Sequence, residues 1–362
     1  MRHRSHLTRI MKIAMFALIG AICLSGVTVA SAQMSDKPLM EKWAPTEWGP
    51  DDKAGAVNRT TPAIVLKAVT LVKQGKVATL GKLYSSDVPA FGPRSWNMTI
   101  PGTPTGGPFG KNALVYHDEW VTTEIGQIST QFDGPGHIGV RTSKGDFYYN
   151  GRDREKSYQR GAGGRVIGMG PLGVEHVAEK GYVCRGVLLD AAGFKGVERL
   201  PIPKTKDSPG IVTAADVKGM IAKQGIADLG EGDCVFLHTG HGNLWANSVW
   251  KSLSPEDKAK RRAEFGSGEP GFGISACQYF ADRKVILTGG DTSANDAQPQ
   301  GENDDMAVEC HTELQTRRGI WNIENLDLNP LVKDKVYEFL FVWAPLRIVG
   351  GTGSPGNPVA MW

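Results

Sequence analysis

The sequence feature that most constrains the fold is a helix followed directly by a buried strand, at residues 213–240. Thr213 can cap the amphipathic run AADVKGMIAKQ, Gly225 can end it, and the apolar segment GDCVFLHTG follows. Similar apolar segments, RGVLLDAAG, KVILTGGD and VYEFLFVW, occur elsewhere in the chain. Strands that alternate with helices predict an α/β fold.

A further helix is predicted nearer the amino terminus. Thr60 or Thr61 can cap it, Pro62 suits its first turn, and Gly75 suits its end. Two loop-rich stretches, residues 91–113 and 292–305, are too long for simple connections. Loops of that length often frame a binding site or a subunit contact.

Residues 1–32 have the composition of a secretory signal peptide. The basic segment MRHRSHLTRIMK precedes the apolar run IAMFALIGAICLSGVTVA, and Ala30-Ser31-Ala32 forms a small-x-small cleavage pattern. The alternative is a membrane anchor, but the apolar run is short and contains Gly, Ser and Thr. We therefore expect a periplasmic or secreted protein that does not contact the membrane after signal removal, with residues 33–362 folded as a single domain.

Charge and cysteine content exclude two classes of function. The 41 basic and 38 acidic residues nearly balance and form no long run, so nucleic acid is not an expected partner. The chain has no C-x-x-C pair, which argues against a cysteine zinc site. Four cysteines remain after the signal: Cys184, Cys234, Cys277 and Cys310. An oxidising compartment permits disulfides between them, while their apolar surroundings also suit buried thiols.

Polar residues alternate along the segment QISTQFDGPGH, residues 127–137. Side chains on a strand alternate faces, so one face would carry Gln127, Ser129, Gln131 and Asp133. The glycines and proline at 134–136 would end the strand in a turn, and the turn could bring His137 back over this face. Amide oxygens, a carboxylate and an imidazole together suit a divalent cation. The alternative is a solvent-exposed polar face followed by an ordinary turn.

The same segment resembles the signature H-x-G-T-H-x-D-x-P-x-H of the metal-dependent cyclase family, which includes kynurenine formamidases and isatin hydrolases. The matching residues are Thr130, Asp133, Pro135 and His137. Gln127 and Gln131 replace the first two histidines, and Ser129 replaces the glycine. This glutamine form resembles the one in trans-dienelactone hydrolase, a branch of the same family. Further blocks typical of the family follow in order, at residues 48–62, 149–151, 185–190, 232–240, 289–291 and 311–326.

The resemblance implies a fold and a set of site residues. The fold would be a mixed-sheet or barrel-like core flanked by helices, as in the swivelling β/β/α architecture of the family. The implied metal ligands are Gln127, Gln131, Asp133 and His137. The implied catalytic residues are His137 as ligand or general base, with His311 and Glu324 in support. The family also implies a homodimer or homotetramer, and the amide ligands favour one zinc or manganese ion over two.

The function expected from the resemblance is metal-assisted hydrolysis of a small cyclic molecule. A metal would lower the pKa of bound water from about 15.7 toward about 7, and His137 would move the proton. The glutamine form favours a lactone such as a dienelactone as substrate. The alternatives are an amidase or formamidase of the kynurenine formamidase type, and a periplasmic small-molecule binding protein that has lost catalysis.

Two more histidines, His238 and His241, stand at the end of a predicted strand in LHTGHGNLW. Residues at such strand ends commonly face a ligand, so His241 and Trp245 could line a pocket. The alternative is an ordinary strand end with one packed and one exposed histidine.

Overall fold

Nine strands form one curled half-barrel sheet. The computed structural model describes residues 42–304 and 306–362, so the expected signal peptide lies outside the described residues. The strands of this sheet are β1 (Val77–Thr79), β2 (Gln131–Asp133), β3 (Tyr182–Asp190), β4 (Cys234–His238), β5 (Leu287–Gly290), β6 (Trp321–Glu324), β7 (Glu338–Trp343), β8 (Gly353–Pro355) and β9 (Val359–Met361). Their order across the sheet is β1-β9-β7-β3-β4-β5-β6-β2-β8. The described residues belong to one compact unit.

The centre of the sheet is parallel and its two sides are antiparallel. Strands β3, β4, β5 and β6 are parallel neighbours, and all other pairs run antiparallel. The longer helices are α1 (Pro62–Val69), α2 (Ala214–Gln224), α3 (Pro255–Phe265) and α4 (Ile274–Asp282). Parallel strands need crossover connections, and α2 lies between β3 and β4 while α4 lies between β4 and β5. The α/β fold with a mixed sheet and flanking helices is therefore confirmed.

Shorter helical segments complete the connections. They are Arg154–Ser157, Glu175–Ala178, Ala191–Lys195, Asn247–Trp250, Asn329–Asp334 and a π-helix at His311–Thr316. The last of these joins β5 to β6, and it begins at one of the expected site residues.

The predicted ends of α2 are confirmed, whereas α1 is shorter than predicted. Thr213 and Asp216 form a capping box at the start of α2, and Gly225 adopts a left-handed conformation (φ 66°) at its end. Thr61 caps α1, but this helix ends at Val69 and not near Gly75. The Thr70 hydroxyl donates to the carbonyl of Lys67 (2.7 Å), a local bond that competes with continued helix.

One disulfide joins two strands of the sheet, and a second joins two helical segments. Cys184 on β3 bonds Cys234 on the adjacent strand β4. Cys277 in α4 bonds Cys310, which immediately precedes the π-helix. The four cysteines therefore do not occur as free thiols.

Residues 96–123, which include most of the first loop-rich stretch, form two nested hairpins. One pairs Trp96–Thr99 with Trp120–Thr123, and the other pairs Gly106–Phe109 with Leu114–Tyr116. Both hairpins expose apolar side chains, including Phe109 and Trp120. Within residues 42–304 and 306–362, no helix combines the length and apolar character needed to cross a bilayer.

Candidate metal centre

Strand β2 presents Gln131 and Asp133 on one face and Phe132 on the other. Phe132 is fully buried and packs against Tyr182 and Trp343 in the core. The strand is shorter than predicted, because Ser129 has a positive φ of 55° and interrupts the alternation. The alternative interpretation, a polar strand face exposed to solvent, is wrong, because Gln127, Gln131 and Asp133 are all buried.

Three buried ligand groups meet beside this face. The carboxylates of Asp133 and Glu324 and the His311 imidazole place one ligand atom each within 4.8 Å of one another. His311 Nε2 lies 3.3 Å from Asp133 Oδ2 and 3.3 Å from Glu324 Oε1. Asp133 is on β2, Glu324 ends the adjacent antiparallel strand β6, and His311 opens the π-helix. The pairing of β6 with β2 thus places the two carboxylates diagonally across adjacent strands.

Asp296 orients the histidine of this cluster. The Nδ1–H of His311 donates to Asp296 Oδ2 over 2.5 Å, and both side chains are buried. This bond fixes the proton on Nδ1 and leaves Nε2 facing Asp133 and Glu324. A carboxylate that holds the far nitrogen of a metal-ligating histidine is a recurrent arrangement in metalloproteins.

Amide side chains donate to the two carboxylates. Gln127 Nε2 lies 2.9 Å from Asp133 Oδ1, and Gln131 Nε2 lies 2.6 Å from Glu324 Oε2. Gln315 donates to Asp133 (3.3 Å) from one turn beyond His311 in the π-helix. The glutamines that replace the signature histidines therefore hold the carboxylates in position.

His137 is the most accessible of the expected site residues. The turn after β2 brings its Nε2 to 3.6 Å from Asp133 Oδ1, and 20% of its side chain is exposed, against 1% for Asp133. Burial, together with the charges of His311 and Arg94, lowers the pKa of His137 below its usual value, although Asp133 opposes this. The ring is therefore neutral at neutral pH and can accept a proton.

Burial and mutual charge shift the pKa values of the cluster. Burial alone would lower the pKa of His311, but the carboxylates around it, Asp296 first, raise that pKa well above its usual value. Burial and the charge of Asp133 raise the pKa of Glu324 to about 8. Burial would raise the pKa of Asp133, yet the His137 and His311 rings lower it overall. Protons thus offset the crowded negative charge, and a cation could replace them.

The donor set fits a divalent cation. Two carboxylates and one imidazole nitrogen are ligands that zinc and manganese both accept, and three protein ligands leave positions open for water or substrate. A cavity of about 20 Å³ lies beside Gln127 and Gln131, with Ser293 and Phe265 on its other walls. That volume accommodates one water molecule next to the centre.

All six expected site residues converge in the structure. Gln127, Gln131, Asp133, His137, His311 and Glu324 form one connected group. Sequence reasoning missed Asp296 and the two amides of Gln315 and Asn322, the last of which donates to Glu324 (2.8 Å). Asp296 lies in the loop-rich stretch 292–305, and the unusual length of this loop was the sequence signal that could have pointed to it. Gln315 could have been found because it lies four residues after His311, one helical turn away.

The curled half-barrel carries a buried cluster of two carboxylates and one histidine, which is a candidate metal site. Residues 52–297 match the family model described as "Putative cyclase". The chain belongs to this cyclase family. No curated protein gives a significant sequence match.

Solved structures agree with this assignment. A novel cyclase is 28% identical with a TM-score of 0.69, and the match covers 89% of this chain and 99% of that one. Isatin hydrolase A from Ralstonia solanacearum is 19% identical with a TM-score of 0.51, covering 83% and 98%. Isatin hydrolase A from Labrenzia aggregata, bound to benzyl benzoate, is 18% identical with a TM-score of 0.50, covering 79% and 93%. At these identities the isatin hydrolases support the fold.

Proposed function

We propose that this protein is an exported hydrolase that opens a cyclic ester or cyclic amide with the help of one zinc or manganese ion. The observation that carries the proposal is the buried cluster of Asp133, His311 and Glu324, with Asp296 fixing the histidine. These three side chains would hold the ion, while Gln127 and Gln131 orient the carboxylates. A bound divalent ion polarises a carbonyl oxygen and makes water a stronger nucleophile at neutral pH.

His137 is the proposed general base. It is neutral at neutral pH, it is partly exposed, and it lies 3.6 Å from the Asp133 carboxylate, which can stabilise the imidazolium. His137 takes a proton from the attacking water as its oxygen bonds to the substrate carbonyl carbon. When the ring C–O or C–N bond breaks, the same proton passes to the leaving oxygen or nitrogen. The product is a hydroxy acid or amino acid, and His137 is neutral again.

The preferred substrate class is a lactone. The glutamine form of the motif, which resembles that of trans-dienelactone hydrolase, supports this choice. Hydrolysis of a cyclic amide or formamide is the alternative, and the isatin hydrolase neighbours favour it. Initial rates on a lactone panel, isatin and N-formylkynurenine would separate these activities. Higher kcat/KM on the amides than on every lactone would reverse the preference.

Export and assembly belong to the same proposal. Two disulfides are expected of a protein that folds in an oxidising compartment, which supports periplasmic or secreted localisation. Amino-terminal sequencing of the periplasmic protein should begin at Gln33. The proposed homodimer or homotetramer can be tested by light scattering after size exclusion.

Metal analysis of the purified protein and of Asp133→Ala is the decisive experiment. We expect about one equivalent of zinc or manganese in the parent. We expect none in the variant, together with loss of turnover. Asp334→Ala is the matched control, because that carboxylate pairs with Lys76 at the surface and should leave both properties unchanged. No metal in the parent, even after zinc or manganese is supplied, would contradict the hydrolase and favour a binding protein without catalysis.

A further inference from the structure

Beyond its base, the hairpin arm (residues 96–123) leaves both of its faces exposed. Trp120 and Val121 are consecutive on one strand and so point to opposite faces, yet both side chains are exposed. The hydrogen bonds of residues 98–122 run within the arm. A two-stranded hairpin without further packing is only marginally stable in water. We therefore expect another surface to cover the arm.

The arm concentrates large apolar side chains at the surface. Eight of them are between 42% and 60% exposed: Met98, Ile100, Phe109, Leu114, Val115, Tyr116, Trp120 and Val121. Half-exposed side chains of this size leave about 100 Å² each in contact with water, or roughly 800 Å² together. A standard protein interface buries about 800 Å² on each partner. The arm alone therefore supplies the area of one side of such an interface, whereas isolated apolar surface residues do not.

A second apolar surface, the body patch, is formed by residues 165–167 and 346–349. Its four exposed apolar residues are Val166, Ile167, Leu346 and Val349. The two segments lie side by side, because the Met169 N–H, just beyond the first, donates to the carbonyl of Gly350, just beyond the second (2.9 Å). The chain thus presents a projecting apolar arm and a separate apolar patch on its body.

The two surfaces carry opposite charges. On the arm, Asp118 and Glu119 stand directly before Trp120, and the single lysine of the arm, Lys111, lies at the hairpin tip. On the body patch, two exposed arginines, Arg165 and Arg347, stand beside the apolar residues. Neither the two carboxylates nor the two guanidinium groups form an ion pair with any residue that the structure describes. All four charges are therefore available to a partner.

Carboxylates near the body patch do not cancel its positive charge. Glu155 lies 3.4 Å from a further arginine, Arg160. Glu175 accepts the backbone N–H of Gly350 (2.9 Å). These two carboxylates stand against three arginines, so the region of the patch stays positive, whereas two carboxylates against one lysine leave the arm negative.

We propose that the hairpin arm of one copy of this chain docks on the body patch of a second copy, with the acidic pair of the arm facing Arg165 and Arg347. The inference rests on the proposed self-association of the chain and names the two surfaces that carry it. Because the arm and the patch belong to the same chain, one two-fold symmetric dimer covers both surfaces of both copies. A single kind of partner thus removes both apolar surfaces from water and pairs the four charges.

Charge reversal on each surface tests the proposal, with association measured by light scattering after size exclusion over a range of protein concentrations. Asp118→Lys with Glu119→Lys makes the arm basic. Arg165→Glu with Arg347→Glu makes the body patch acidic. Each double variant should associate at least tenfold more weakly than the parent, because it sets like charges against each other. All four side chains are exposed, so the fold should be retained, and circular dichroism checks this.

Mixing the two double variants gives the sharpest result. In a mixed dimer each arm meets a patch of opposite charge, so the mixture should associate as tightly as the parent although each variant alone does not. Lys206→Glu with Asp207→Lys, in an exposed loop, is the matched control and should associate like the parent.

A monomeric parent, unchanged association of either double variant, or a mixture that stays dissociated would overturn the proposal. An oligomeric parent whose double variants also stay oligomeric would overturn the docking of the arm on the patch, yet it would leave the proposed self-association standing. None of these measurements involves hydrolysis, so their outcome is independent of whether the proposed hydrolase activity is found.

Discussion

Replacing Asp296 with asparagine tests most directly whether the hydrogen bond from His311 to Asp296 orients this histidine in the candidate metal centre. Both oxygens of Asp296 are acceptors: Oδ1 receives the backbone N–H of Cys310 (2.6 Å), and Oδ2 receives Nδ1–H of His311 (2.5 Å). An amide offers only one acceptor oxygen. If that oxygen serves Cys310, the amide N–H faces Nδ1 and shifts the imidazole proton to Nε2, the nitrogen that a metal needs.

The size of the effect follows from this geometry. Loss of a partner that orients a metal-ligating histidine typically weakens metal binding 10- to 100-fold, or about 1.4 to 2.7 kcal/mol. Proton release should change as well. Asp296 contributes most to the raised pKa of His311, so parental metal binding at neutral pH must displace the His311 proton. Asp296→Asn lowers that pKa and should reduce the number of protons released.

Competition titration against a zinc chelator measures the affinity, and repetition in buffers of different ionisation enthalpy measures the protons released. Glu302→Gln is the matched control: it lies in the same loop, but its carboxylate accepts from the backbone and hydroxyl of Ser275. Asp296→Asn with parental zinc affinity and parental proton release would refute the role assigned to Asp296. A loss of equal size in Glu302→Gln would show that the loop as a whole, and not the bond to His311, is responsible.

Three further predictions concern residues around the centre. Gln127→His with Gln131→His should raise the zinc content to about two ions per chain, because imidazoles bind zinc better than amides do; elemental analysis with an unchanged content would contradict this. Cys277→Ser with Cys310→Ser should lower the unfolding free energy by about 4 kcal/mol for a loop of 33 residues, measured by urea denaturation, and a change below about 1 kcal/mol would be inconsistent with a structural disulfide. Burial raises the pKa of Glu269 to about 7, despite opposing hydrogen bonds from Ser293, so the folded state holds a proton that the unfolded state releases. Its contribution to stability should therefore fall, by up to about 3 kcal/mol, as the pH rises from about 4.5 to about 7; the same stability difference between the parent and Glu269→Gln at pH 5 and pH 7.5 would argue against it.

The fold could be predicted from sequence where local signals agree with one another. Helix α2 was found with correct bounds, and strand β4 lies within the predicted segment 232–240, because Thr213, Gly225 and the apolar periodicity all point to the same structure. The end of α1 was missed because the helix ends at Val69, six residues before the glycine that the sequence offered, where the Thr70 hydroxyl bonds the Lys67 carbonyl. The hairpins of residues 96–123 were missed for a different reason: their strands are short and exposed, so they lack the alternation of polar and apolar residues that marks a half-buried strand.

The candidate site required long-range information that one local pattern does not contain. The motif around Asp133 located one carboxylate, whereas His311 and Glu324, 178 and 191 positions later, were named only because the block at residues 311–326 resembles the family. Only the antiparallel pairing of β6 with β2 brings Glu324 opposite Gln131, and only the π-helix places His311 between the two carboxylates. The glutamines illustrate the same limit. In the sequence their oxygens suggest ligands, and this stays a prediction; in the fold their N–H groups donate to Asp133 and Glu324 and hold this pair of carboxylates in position.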